Sequence, residues 1–83
     1  MHQKLSSFMK NDNIIVKSIL CDKENRDVLE SFGIFEGVRL QILYRNSANM
    51  ILKIGKTKLV ISKKISEKIL AISENESNRA YFS

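Results

Sequence analysis

The sequence predicts a mainly β domain: a small barrel of about five short strands, with one short helix inserted after the first strand. Three observations lead there. Residues 38–45 alternate, with Val38, Leu40, Ile42 and Tyr44 on one side and Arg39, Gln41, Leu43 and Arg45 on the other. That is the period of a strand with one buried face. Gly55-Lys56 joins two further strand-like runs by a two-residue loop with glycine first, which suits a type II′ hairpin. One segment, residues 22–32, reads as an amphipathic helix. A single helix cannot shield both faces of an open sheet, and curling into a barrel removes the edges and encloses one core. The chain has 83 residues, enough for one domain. A domain of this size buries only about 60–65% of its unfolded surface, so the core is modest.

The elements follow in chain order. Leu5, Phe8 and Met9 have i, i+3, i+4 spacing, enough for one helical turn with an apolar side. Residues 11–13, Asn-Asp-Asn, signal a turn. Ile14, Ile15, Val16, Ile19 and Leu20 form a β-branched, apolar strand whose in/out register is ambiguous, because they do not alternate cleanly. Asp22 can cap the helix, and Glu24 lies in the first turn, where the helix dipole favours negative charge. Val28, Leu29 and Phe32 form its apolar stripe, and Arg26, Asp27 and Glu30 face away. The helix should stop at Phe32. The strand at 38–45 follows and places Tyr44 on the core face. Asn46 to Asn49 turn the chain, Met50 to Ile54 return, and the Gly55-Lys56 hairpin leads to Thr57–Ser62 with Leu59 and Ile61 pointing one way. Residues 63–68 suit one turn of helix, and Ile69–Ile72 a closing strand. The domain spans residues 1–74. Residues 75–83 form a polar tail, apart from Tyr81 and Phe82, expected to be partly mobile.

Two of the three glycines, Gly33 and Gly37, lie close together and raise the question of a phosphate loop. Such a loop needs G-x-x-x-x-G-K-[ST] between a strand and a following helix. Here the spacing is G-x-x-x-G, Val38 and Arg39 follow, and the order is helix, glycine, strand. No helix N-terminus faces the loop, so the anion site lacks its main component. Backbone geometry accounts for both residues instead. Gly33 fits the left-handed position after a helix ending at Phe32, with Ile34 and Leu29 making the apolar contact of a Schellman ending. Residues 35–38 suit a type II turn with Gly37 at its third position, where φ is positive.

Catalytic machinery is not legible. His2 is the one histidine and Cys21 the one cysteine, so no intramolecular disulfide and no thiolate metal cluster can form. Nucleophile–base catalysis would rest on a histidine beside the start of the chain, where a positioned base is not expected. No apolar run approaches a membrane span, and the N-terminal residues lack the apolar stretch of a secretory signal, which points to the cytosol. Fourteen Lys and Arg against nine Asp and Glu give a net charge of +5. That suits nucleic acid, an anionic membrane face or an acidic protein.

The residues that end the helix also carry a family signature. NRDVLESFGIFEGVRLQILYR resembles the central motif of the ferrous-iron transport protein A (FeoA) family, an arginine-leucine helix, then LGI-x-PG, then a strand. Arg26 and Leu29 match the helix positions, and Gly33, Ile34 and Gly37 match the loop. KLSSFMKNDNIIVKSI resembles the family's opening, and TKLVISKKISEKILAI its closing strand, helical turn and final strand. Together with the Gly55 hairpin, the resemblance covers residues 4–73. Two positions depart from it: Glu36 stands where the family usually has proline, and no glycine occurs near Asn11–Asn13.

The resemblance implies an SH3-like barrel in the bacterial cytosol, without enzymatic activity. It implies that the protein accompanies FeoB, the membrane ferrous-iron permease, binding it on the cytosolic side and regulating or supporting iron uptake. The candidate contact surface is the loop Ile34, Phe35 and Glu36 with the helix residues Arg26 and Glu30; Phe35 belongs either to the core or to a partner. A nucleic-acid module is the alternative, but it needs strand-borne aromatics along a basic groove, and only Tyr44 lies on an expected strand. The lysines at 53, 56, 58, 63 and 64 read as a solvated basic face. No cofactor and no metal site is expected. His2 with Cys21, or Asp22 with Glu24, could offer Fe2+ or another divalent metal at most an incidental site.

Overall fold

Strands are the commonest element in residues 2–74, the part of the chain that the computed structural model describes. They are β1 (Gln3–Lys4), β2 (Asn13–Ile19), β3 (Arg39–Arg45), β4 (Asn49–Ile54), β5 (Thr57–Ser62) and β6 (Ile69–Ser73). A 3₁₀ turn (Leu5–Ser7) follows β1, α1 (Lys23–Ser31) connects β2 to β3, and α2 (Lys63–Ser66) connects β5 to β6. The strands form one antiparallel sheet in the order β1-β6-β2-β3-β4-β5. The sequence suggests about five strands; the sixth is β1, whose two residues are too short to show a pattern. The SH3-like fold holds, but among the described strands the sheet is not closed: β1 and β5 stand at its two ends and do not pair. The tail expected at 75–83 lies outside the described residues.

The core is apolar and draws on every long strand: Ile14, Val16 and Ile19 from β2, Leu40 and Ile42 from β3, Met50 and Leu52 from β4, Ile61 from β5, and Ile69 and Ala71 from β6. Leu5 and Phe8 add to it from the N-terminal turn, and Leu29 and Ile34 from α1 and the loop after it. Met9 does not; it is exposed.

Two bulges explain where simple alternation fails. In β2 the pairing with β6 slips between Val16 and Ser18, so the buried set passes from Ile14 and Val16 to Ile19. An extra residue in a strand inverts the facing of everything after it. In β3 the register with β4 slips between Ile42 and Tyr44. Leu43 is therefore half-buried and Tyr44 exposed, the reverse of the core placement that strict alternation assigns to Tyr44.

The turns are built by the residues at their tips. The Asn46 side-chain oxygen accepts from the Ala48 and Asn49 amides, both at 2.8 Å, and closes the β3–β4 hairpin. Gly55 has φ +58°, and Ile54 pairs with Thr57 across it, as a type II′ hairpin requires. The Ser62 hydroxyl caps α2 by accepting from the Ile65 amide at 3.2 Å. Asn11 has φ +75° in the turn before β2, a conformation that asparagine tolerates better than most residues.

Candidate protein-contact site

The site grows from the two ends of α1. At its start the Asp22 carboxylate accepts from the Asn25 amide at 3.0 Å, capping the helix. The helix then buries a single residue, Leu29. Val28 and Phe32, which the sequence places beside Leu29 on the core stripe, are about half exposed. One buried leucine is a slender anchor, and two backbone devices supplement it. The Arg26 guanidinium donates to the Ile19 carbonyl at 2.5 Å, tying the helix to the end of β2. At the C-terminus the Ile34 amide donates to the Leu29 carbonyl at 2.9 Å and the Gly33 amide to the Glu30 carbonyl at 3.0 Å. These are the two bonds of a Schellman ending, with Gly33 at φ +92° and with Ile34 and Leu29 both buried.

The chain turns at once into β3. The Val38 amide donates to the Phe35 carbonyl at 3.1 Å, and Gly37, third in that turn, has φ +93°. Two further bonds stitch the turn to β2: Gly37 donates to the Val16 carbonyl at 2.7 Å, and Val16 to the Val38 carbonyl at 3.0 Å. The turn is therefore fixed from both sides.

These constraints lift Phe35 out of the core. Ile34 takes the interior position, fully buried, and Phe35 is 50% exposed. Ile19, Arg26, Glu30, Phe35 and Glu36 line an open cleft of about 330 Å³. Four of the five residues proposed from sequence for the contact surface are thus brought together: Arg26, Glu30, Phe35 and Glu36. Ile34 is not; its side chain positions the loop from inside and cannot reach a partner. Ile19 joins the cleft unforeseen, since the β2 bulge that sets its facing leaves no mark in composition. Leu29, Gly33, Gly37 and Gly55 act through packing and backbone conformation, as described.

The cleft can present an exposed aromatic ring beside charges of both signs, a combination suited to protein contact. Among the described residues no group of three or more His, Cys, Asp or Glu side chains is placed to hold a metal ion. Cys21 is buried, and His2 is exposed. No helix among the described residues is long and apolar enough to cross a membrane.

Comparison with known proteins agrees with the fold. A family model described as the FeoA domain matches residues 3–72. The chain belongs to the FeoA family. A crystal structure of an iron uptake regulatory protein (FeoA) shares 26% identity with this FeoA-family chain, with a TM-score of 0.82, covering 88% of this chain and 99% of the other. The solution structure of FeoA from Chlorobium tepidum shares 20% identity at a TM-score of 0.81, covering 87% and 70%. A manganese-dependent transcriptional repressor shares 20% identity at a TM-score of 0.78, covering 87% of this chain and 41% of the repressor. At 20% identity the last two show the fold alone. Among curated proteins no sequence match was found.

Proposed function

We propose that this FeoA-family protein is a non-enzymatic accessory of ferrous iron uptake in the bacterial cytosol, which binds the cytosolic side of a FeoB-type permease and regulates or supports it. The contact runs through Phe35, Arg26, Glu30 and Glu36. Family membership and the likeness to an iron uptake regulatory protein support the process. The observation that carries the surface is the exposed Phe35, held between Gly33 and Gly37 on a turn bonded to β2. An aromatic presented on a turn whose backbone is already bonded in place avoids the cost of ordering that loop on binding. Fe2+ is then the permease's cargo and not a ligand of this chain.

The test is a pull-down of the permease's cytosolic domain with parent and Phe35→Ala protein, after thermal unfolding confirms that the variant folds. Loss of capture supports the reading, and unchanged capture rejects it. The nucleic-acid alternative gains one exposed strand aromatic, Tyr44, from the β3 bulge. Stacking along a strand needs successive aromatics; among the described residues no second aromatic lies on a strand.

A further inference from the structure

Helix α1 turns two shoulders to its surroundings. Arg26 and Glu30 face the Phe35 turn, whereas Val28 and Phe32 face β5. On the second side a cleft of about 190 Å³ is lined by Asn25, Val28, Phe32, Leu59, Val60 and Ile65, among others. Val28 and Phe32 are about half exposed there, and Val60 is 60% exposed. The cleft runs along an edge of the sheet, because β5 is its last strand.

The hairpin fixes which backbone groups that edge presents. Ile54 and Thr57 flank a two-residue loop and form a hydrogen-bonded pair; alternation makes Leu52–Leu59 and Met50–Ile61 the other bonded pairs. The N–H and C=O groups of Lys58 and Val60 therefore point away from β4, toward the cleft side. No described strand pairs with them.

On the strand side of the cleft the charge has one sign, while the helix side carries Glu24 one turn before Val28. From Asn46 to Ser66 the chain carries Lys53, Lys56, Lys58, Lys63 and Lys64 and no acidic residue. Lys58 stands on β5 itself, and Lys63 and Lys64 open α2 at the end of that strand. Lysines on an edge discourage pairing with a like edge. A second copy of β5 would bring lysines against lysines, while an acidic strand would meet complementary charge.

We propose that this cleft takes an extended acidic segment of another protein, alternating acidic and apolar residues, as a seventh strand along β5. Its backbone would bond Lys58 and Val60, its apolar side chains would rest on Val28, Phe32 and Leu59 on the inner face of β5, and its carboxylates would lie on the outer face beside Lys58 and near Lys63 and Lys64. Strand addition to an open edge is a general mode of peptide recognition, with the backbone supplying affinity and side-chain contacts supplying selectivity. This surface lies on the opposite shoulder of α1 from Phe35 and does not depend on the permease reading.

The probe is the peptide Ac-EVEVEVE-NH2, titrated into ¹⁵N-labelled protein and followed by NMR. The controls are Ac-KVKVKVK-NH2 and the acidic peptide with an N-methylated backbone, which keeps the charge but cannot pair as a strand. The expected result is saturable shifts at Val28, Phe32, Lys58 and Val60, with slowed amide exchange at Lys58 and Val60. Both control peptides, and the acidic peptide with Val60→Glu protein, should bind at least about tenfold more weakly. Val28→Ser supplies a second variant on the other wall, should Val60→Glu not fold. Equal binding of the N-methylated peptide would overturn the proposal, as would shifts away from these residues. So would a stronger response at the same amides to phosphatidylglycerol vesicles, self-association through β5, or peptide binding only after removal of residues 75–83.

Discussion

Gly37→Ala isolates the backbone conformation that throws Phe35 outward. Gly37 sits at φ +93°, and a Cβ built there has no heavy atom within 4 Å. The substitution therefore introduces no clash, and its cost is the backbone term alone. For an L residue in left-handed territory that is about 1–2 kcal/mol. In a domain of this size such a loss lowers Tm by roughly 5–15 °C. The assay is urea denaturation followed by far-UV circular dichroism, with a thermal scan alongside. The neighbouring position supplies a control of opposite sign. Glu36 occupies the turn's second position, where proline presets φ, so Glu36→Pro should stabilise by about 0.4–1 kcal/mol through the unfolded chain. A Gly37→Ala protein within about 0.5 kcal/mol of the parent would mean that the positive φ carries none of its expected penalty.

Other substitutions probe different joints. Leu29→Ala removes the only buried side chain of α1 and should cost about 2–4 kcal/mol. Hydrogen exchange should show the amides of α1 losing protection before those of the sheet. Asn11, at φ +75°, stands in for a glycine, so Asn11→Gly should leave chemical stability within about 0.5 kcal/mol of the parent, while Asn11→Ala loses about 1 kcal/mol.

Local chemistry made the helix ending and the turns legible in advance. Gly33, Ile34 and Leu29 specify the Schellman bonds through residues five positions apart at most, and Phe35 to Val38 specify the next turn with four. Tyr44 was not legible in that way. Alternation assumes that each residue advances one place, and the slip beside Leu43 breaks that count; it arises from pairing with β4, which a single strand's pattern does not contain. The same reason hides the facing of Ile19. The stripe Val28–Leu29–Phe32 promises a helix with three core contacts, yet the structure buries one of them. A stripe reports what a helix can bury, not how closely the sheet approaches it. That shortfall leaves the cleft beside β5, and the turn after the helix leaves the cleft beside Phe35. The β5 cleft therefore arises where tertiary placement departs from the local pattern, and the Phe35 cleft where the local turn chemistry is obeyed.

Calorimetric titration of the permease's cytosolic domain measures whether Phe35 is a partner residue. Parent, Phe35→Ala and Val60→Glu proteins are compared, each first shown to be folded. The expected result is binding by the parent, at least about tenfold weaker binding by Phe35→Ala, equivalent to about 1.4 kcal/mol, and no change for Val60→Glu. Equal affinity of Phe35→Ala and parent would contradict it; a loss confined to Val60→Glu would move the permease contact to the β5 edge.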